Sequence, residues 1–154
     1  MREAKKINRN FIIGVITAVI LLSAAALAWR ALIPAGIQTV TIGGKTISVE
    51  IASSATRQEQ GLSQRQSLAP DSGMLFVFAK YQTPKFWMKD MLFPLDIIWI
   101  RDREIVGYEQ SLPPAGPNPL ATYEPLRPVN YVLEVKAGFV RENNIKVGDR
   151  VSLK

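Results

Sequence analysis

Apolar residues are distributed along this chain in two unlike ways. Phe11–Ala28 is an unbroken run of 18 residues without a charge, whereas from residue 37 onward the apolar positions come in short β-branched runs cut by turn residues. At about 1.5 Å per residue a helix over the first run spans roughly 27 Å, close to the ~30 Å hydrocarbon core of a bilayer. Arg2, Lys5, Lys6 and Arg9 precede it, and Trp29 and Arg30 follow, residue types suited to the lipid–water boundary. The excess of basic residues on the N-terminal side predicts a cytoplasmic tail over 1–10, a single-pass membrane anchor over 11–33 and an exported domain over 37–154. A cleaved signal segment competes with the anchor. Phe11–Leu22 has the length of a signal-peptide core, and Ala26-Leu27-Ala28 supplies small residues for cleavage near Ala28, which would leave a secreted or periplasmic domain. Apolarity continuing through Ala31-Leu32-Ile33 favours the anchor. Both readings export the domain.

Within that domain, Ile37–Ile42 and Thr46–Ile51 are joined by Gly43-Gly44, a hairpin pattern. Thr56 with Glu59 three residues on has the form of a capping box and predicts a short helix over 57–66. Gly61 within it costs about 1 kcal/mol against alanine, so that helix needs tertiary support. Met74–Ala79 is apolar without alternation, as in a strand covered on both faces. Phe86–Met91, Leu95–Ile100 and Ile105–Tyr108 continue the sheet. Val129–Lys136 alternates, with Val129, Tyr131, Leu133 and Val135 on one face and Asn130, Glu134 and Lys136 on the other. A last strand covers Arg150–Leu153. About seven or eight short strands with one short helix predict a mainly β domain, a small sandwich or barrel. Residues 112–128 interrupt the rhythm, holding six of the ten prolines. A connection of that length is either a binding loop or lid, or a stiff connector.

Composition excludes more chemistry than it suggests. The chain has 154 residues and a net charge of +6, but four of its 19 basic residues lie in the N-terminal tail. The remainder are scattered rather than striped, which argues against a nucleic-acid partner. Cysteine and histidine are both absent. That removes disulfides, thiolate nucleophiles, histidine-based triads and the usual zinc sites. No phosphate-cradling glycine loop and no D-x-D-x-D-G calcium loop occurs, so neither a metal nor a cofactor is expected.

Candidate chemistry gathers in Phe86–Ile100, where aromatic and methionine side chains flank Lys89, Asp90 and Asp96. Asp96, between Leu95 and Ile97, is expected to be at least partly buried, and a buried carboxylate must be paired or hydrogen-bonded. It either accepts backbone N–H groups from the turn at Pro94 or belongs to a charged pocket with Lys89 or Arg65. Trp87 and Trp99 could stack a sugar or base, although core packing is the commoner use of such side chains. Arg65, Trp87, Lys89, Asp90, Asp96 and Glu134 are the candidate binding residues. No catalytic residue is assigned.

The blocks GLSQRQSLAPDSGMLFVF, FWMKDMLFPLDIIWI, YVLEVKAG and IKVGD, in this order and spacing, resemble the domain-of-unknown-function family numbered 192 over about residues 40–153. The positions that carry the resemblance are Gly61-Leu62, Arg65, Gly73-Met74, Phe86-Trp87-Met88, Pro94-Leu95-Asp96, Leu133-Glu134 and Gly148-Asp149. Ser63 departs from the expected methionine and Asp90-Met91 from the common Asn-Thr, which would alter any polar site formed there. The resemblance implies an exported prokaryotic protein with a compact, mainly β domain, and it implies no established activity, substrate or cofactor. The expectation is an exported, membrane-anchored binding or accessory module of the cell envelope, taking a small ligand or an envelope protein. Its rivals are a carboxylate-dependent hydrolase, using Asp96, Glu134 or Asp90 with Lys89 or Arg65, and a purely structural partner-binding domain.

Overall fold

The structure is a computed structural model that describes residues 38–154; the expected tail over 1–10 and the anchor or signal segment over 11–33 lie outside the described residues. Seven strands follow one another as β1 (Thr39–Ile42), β2 (Lys45–Ala52), β3 (Ser72–Gln82), β4 (Leu95–Arg101), β5 (Glu104–Leu112), β6 (Val129–Lys136) and β7 (Val151–Leu153). Two short helices, α1 (Ala55–Gln60) and α2 (Phe139–Glu142), interrupt them. The strands form one sheet in the order β5-β4-β6-β3-β2-β1-β7. The pairings are antiparallel except β2 with β3, which α1 connects as a crossover. Gly43 and Gly44 have φ of 59° and 80°, the left-handed values that a tight β1–β2 turn requires at both central positions. No helix among the described residues is long and apolar enough to cross a membrane.

The two edges of the sheet meet at one corner. Ile105 N–H donates to the Asp149 carbonyl at 3.0 Å, and Val151 N–H to the Arg103 carbonyl at 2.9 Å. The sheet is therefore a curled half-barrel. Of the two architectures expected, the barrel-like one is observed; among the described residues no second sheet makes a sandwich.

Both faces of this sheet are covered, which explains the unbroken apolar runs. One face packs Ile42, Ile47, Leu75, Ile98 and Leu133 against Val140 of α2. The other packs Met74, Phe76, Ile97, Trp99 and Val132 beneath Phe86 and Met88 of the β3–β4 connection. Leu95 to Ile100 are accordingly all buried. Glu134 was expected on a polar face of β6, yet it is only 5% exposed. The alternation in β6 sorts its residues between two covered faces, not between core and water.

Three further expectations are corrected. The strand predicted over Phe86–Met91 is not formed; the stretch makes single bridges, Phe86 to Tyr123 and Lys89 to Ala115. Its partner is the proline-rich connection, where Pro113, Pro114 and Pro117 have no N–H to extend a ladder. The predicted helix over 57–66 is shorter and starts earlier, at 55–60. Ser54, not Thr56, caps it, its hydroxyl accepting the Arg57 N–H at 3.3 Å, and Gly61 ends it. The second helix, α2, had no counterpart in the sequence pattern. It follows Gly138, whose φ of 94° suits glycine.

Candidate functional site

The cover over the second face leaves a cavity of about 220 Å³ between the end of α1 and the 84–91 segment. Phe76, Phe78, Phe86 and Trp87 supply its rings, Leu62 and Met91 further apolar surface, and Glu134 of β6 its most buried polar group. Phe86 stands edge-on to Phe76 at 4.8 Å between centroids and to Trp99 at 5.5 Å, so the wall it makes is fixed from below.

Glu134 is held there by register. In the sheet it lies between Met74 of β3 and Ile97 of β4, a carboxyl in an apolar row. Its Oε2 is buried without a hydrogen-bond partner. Burial pushes the Glu134 carboxyl up to about 8, against the nearby Arg65 charge, which acts the other way and is the smaller effect. Above it passes Gly61, with φ 52° and ψ −133°, a backbone conformation open to glycine. A Cβ at Gly61 would sit 3.5 Å from the Phe76 ring and 3.7 Å from Glu134 Oε2, projecting toward the carboxyl.

The candidate residues divide between several places. Arg65 is committed to Glu50, donating to both carboxylate oxygens, with Nη2 to Oε2 at 2.9 Å, while Arg57 adds a donor at 3.1 Å. Chiefly through the Arg65 hydrogen bonds, the Glu50 carboxyl is held below its usual range and the Arg65 guanidinium is raised. Arg65 thus acts on Glu134 by charge alone. Trp87, a candidate binding residue for which core packing was the commoner alternative, is 41% exposed at the cavity, while Trp99 is 2% exposed and packs in the core. The 84–91 segment alternates, burying Phe86 and Met88 and turning Trp87 and Lys89 outward. Asp90 lies apart, in an open groove between Gln64 and the Pro114–Gly116 backbone. Its φ is 54°, and its carbonyl accepts the Gln64 N–H at 2.9 Å.

Asp96 is fully buried on the opposite face of the sheet from Glu134, next to Val135 across the ladder. It is not joined to Lys89 or Arg65 in a pocket. Its Oδ1 accepts the N–H groups of Ser111 at 2.7 Å and Gly138 at 3.1 Å, and its Oδ2 that of Val140 at 2.9 Å. Backbone donors were expected from the turn at Pro94; they come instead from β5 and from the start of α2, brought close by the curl of the sheet. Asp96 therefore ties three elements together. Among the described residues no three acidic side chains are grouped to hold a metal ion.

Phe76, Phe78 and Lys85 are cavity residues that the sequence did not mark, and Gly61 and Phe86, noted there on other grounds, were not among the candidate binding residues. Gly61 was read as lying within the helix over 57–66, whereas it ends the helix in a backbone conformation open to glycine.

The profile of the domain-of-unknown-function family 192, described as uncharacterized ACR, matches residues 38–153. No curated protein matches the chain. Two solved structures resemble it closely. One, from Sinorhizobium meliloti 1021 and described as a candidate transcription regulator, is 35% identical, with a TM-score of 0.68, covering 75% of this chain and 92% of its own. The other, a protein of unknown function from Novosphingobium aromaticivorans DSM 12444, is 30% identical, with a TM-score of 0.67, covering 74% of this chain and 83% of its own.

Proposed function

We propose, from the premise that this chain belongs to the domain-of-unknown-function family 192, that its domain is a small-ligand-binding module. The observation that carries this reading is Glu134. A buried polar atom without a partner costs free energy that a folded domain ordinarily avoids. Here the unsatisfied carboxyl is one wall of an open cavity otherwise lined by aromatic rings, the usual composition of a ligand site: mostly apolar, with few polar groups. A bound molecule would complete its hydrogen bonding.

The module works outside the cytoplasm, tethered through residues 11–33. The charge-free run Phe11–Ala28 and the basic residues before it support that placement. Alkaline carbonate extraction should leave the full-length protein in the membrane pellet. A mature N-terminus at Trp29 would replace the anchor by a cleaved signal, and recovery in the cytosol would overturn export altogether.

A second reading has one observation in its favour. A carboxyl still protonated near neutral pH is the form that a general acid requires, so Glu134 could serve a hydrolase. The two readings separate in a thermal-shift screen of the full chain against metabolites, sugars and metals. A binding module gains about 2.7 kcal/mol at 100 times the dissociation constant and leaves the compound unchanged. A hydrolase turns its compound over. No shift with any compound would count against a ligand site.

A further inference from the structure

The cavity lining has a charge pattern as well as a shape. Glu134 sits in it with its Oε2 buried and without a hydrogen-bond partner, and an ionised carboxylate so placed would be a buried, unpaired charge. The neutral acid is the favoured form, and a neutral acid presents an O–H donor that needs an acceptor. The charged groups around it are few. Glu59 lies on α1, Arg65 and its partner Glu50 stand to one side, and Lys85 and Lys89 come from the segment opposite. Arg65 is paired with Glu50, which also takes Arg57, whereas neither Lys85 nor Lys89 forms an ion pair among the described residues. With Glu134 neutral, the lining sets two lysines against one glutamate. The space of about 220 Å³ exceeds the roughly 150 Å³ that admits a benzene molecule.

We infer that the ligand of this cavity is a small organic anion with a flat apolar body. One of its oxygens accepts a hydrogen bond from the Glu134 carboxyl, its charge lies toward Lys85 and Lys89, and its body lies against Phe76, Phe86 and Trp87. This assignment rests on the ligand-binding reading above. An ammonium ligand would also suit aromatic walls, but it would have to ionise Glu134 and would face both lysines.

Two probes with the same ring and opposite charge decide the matter. Phenylacetate and phenethylamine are titrated into the full-length protein in detergent micelles, with the dissociation constant followed from pH 6 to 9. Phenylacetate should bind, and its affinity should fall as the pH rises through about 8, where Glu134 loses its proton and becomes a repelling charge. Glu134→Gln keeps a donor, so it should still bind phenylacetate and should lose that fall in affinity. Lys85→Ala with Lys89→Ala should weaken phenylacetate roughly fivefold, the scale of two exposed ion pairs. Phenethylamine binding in place of phenylacetate, or loss of phenylacetate binding in Glu134→Gln, overturns the anion assignment and leaves the cavity as a ligand site. Failure of both probes up to their solubility overturns the anion assignment, and the absence of a shift with every compound of the screen above is what overturns the ligand-binding reading.

Discussion

Glu134→Gln is expected to make the domain more stable than the wild type at pH 8, by on the order of 3–4 kcal/mol. In the folded chain the Glu134 carboxyl is pushed up to about 8 from an ordinary 4.5. The folded state therefore holds its proton over a pH range in which the unfolded chain releases it, and stability falls as the unfolded carboxyl ionises. The contribution is complete below about pH 4.5, declines between there and about pH 8, and is flat above. Glutamine cannot ionise, so the variant should lack this decline while keeping the shape of the side chain. Urea melts of both proteins at pH 5 and pH 8 measure the difference. Equal stability of the two at pH 8 would mean that Glu134 is solvated or paired.

The second large effect lies on the other face of the sheet. Asp96→Ala should lower stability by about 4 kcal/mol or more. It removes three hydrogen bonds to a charged acceptor, each worth roughly 1.5–3 kcal/mol, and leaves buried N–H groups without partners. Those groups belong to Ser111, Gly138 and Val140, so the edge strand β5 and the start of α2 come loose together. Asp96→Asn should cost less, because the amide keeps one acceptor oxygen. Denaturant melts of the two variants order them. An Asp96→Ala protein as stable as the wild type would remove Asp96 from the structural framework and return it to the candidate site residues.

The contrast between these two carboxyls marks how far the sequence could be read. Asp96 was legible as a buried, hydrogen-bonded acid because an acid between Leu95 and Ile97 in an apolar run has few alternatives. Its donors were not legible, since Gly138 and Val140 lie more than forty residues away and meet it only through the β4–β6 pairing and the turn into α2. Glu134 was marked as a candidate but placed on a polar face. Period-2 alternation tells one side of a strand from the other and does not say that both sides are covered. The strands β1, β2 and β4 and the β1–β2 hairpin were read correctly, because β-branched runs and paired glycines act locally. Phe86–Met91 was misread for the opposite reason. Its composition suits a strand, but the segment that reaches it is rich in proline and cannot complete a ladder. The cavity itself follows from that substitution, since a loosely bridged segment covers the sheet where a paired strand would have lain in it.

The most direct test is the titration of the Glu134 carboxyl in the full-length protein, followed by its carboxyl carbon-13 resonance from pH 4 to 10. A midpoint at about 8 is expected, the behaviour of a desolvated acid with no partner facing a cavity. A midpoint in the ordinary glutamate range, ~4.3, would show an ionised and satisfied side chain and would contradict the site.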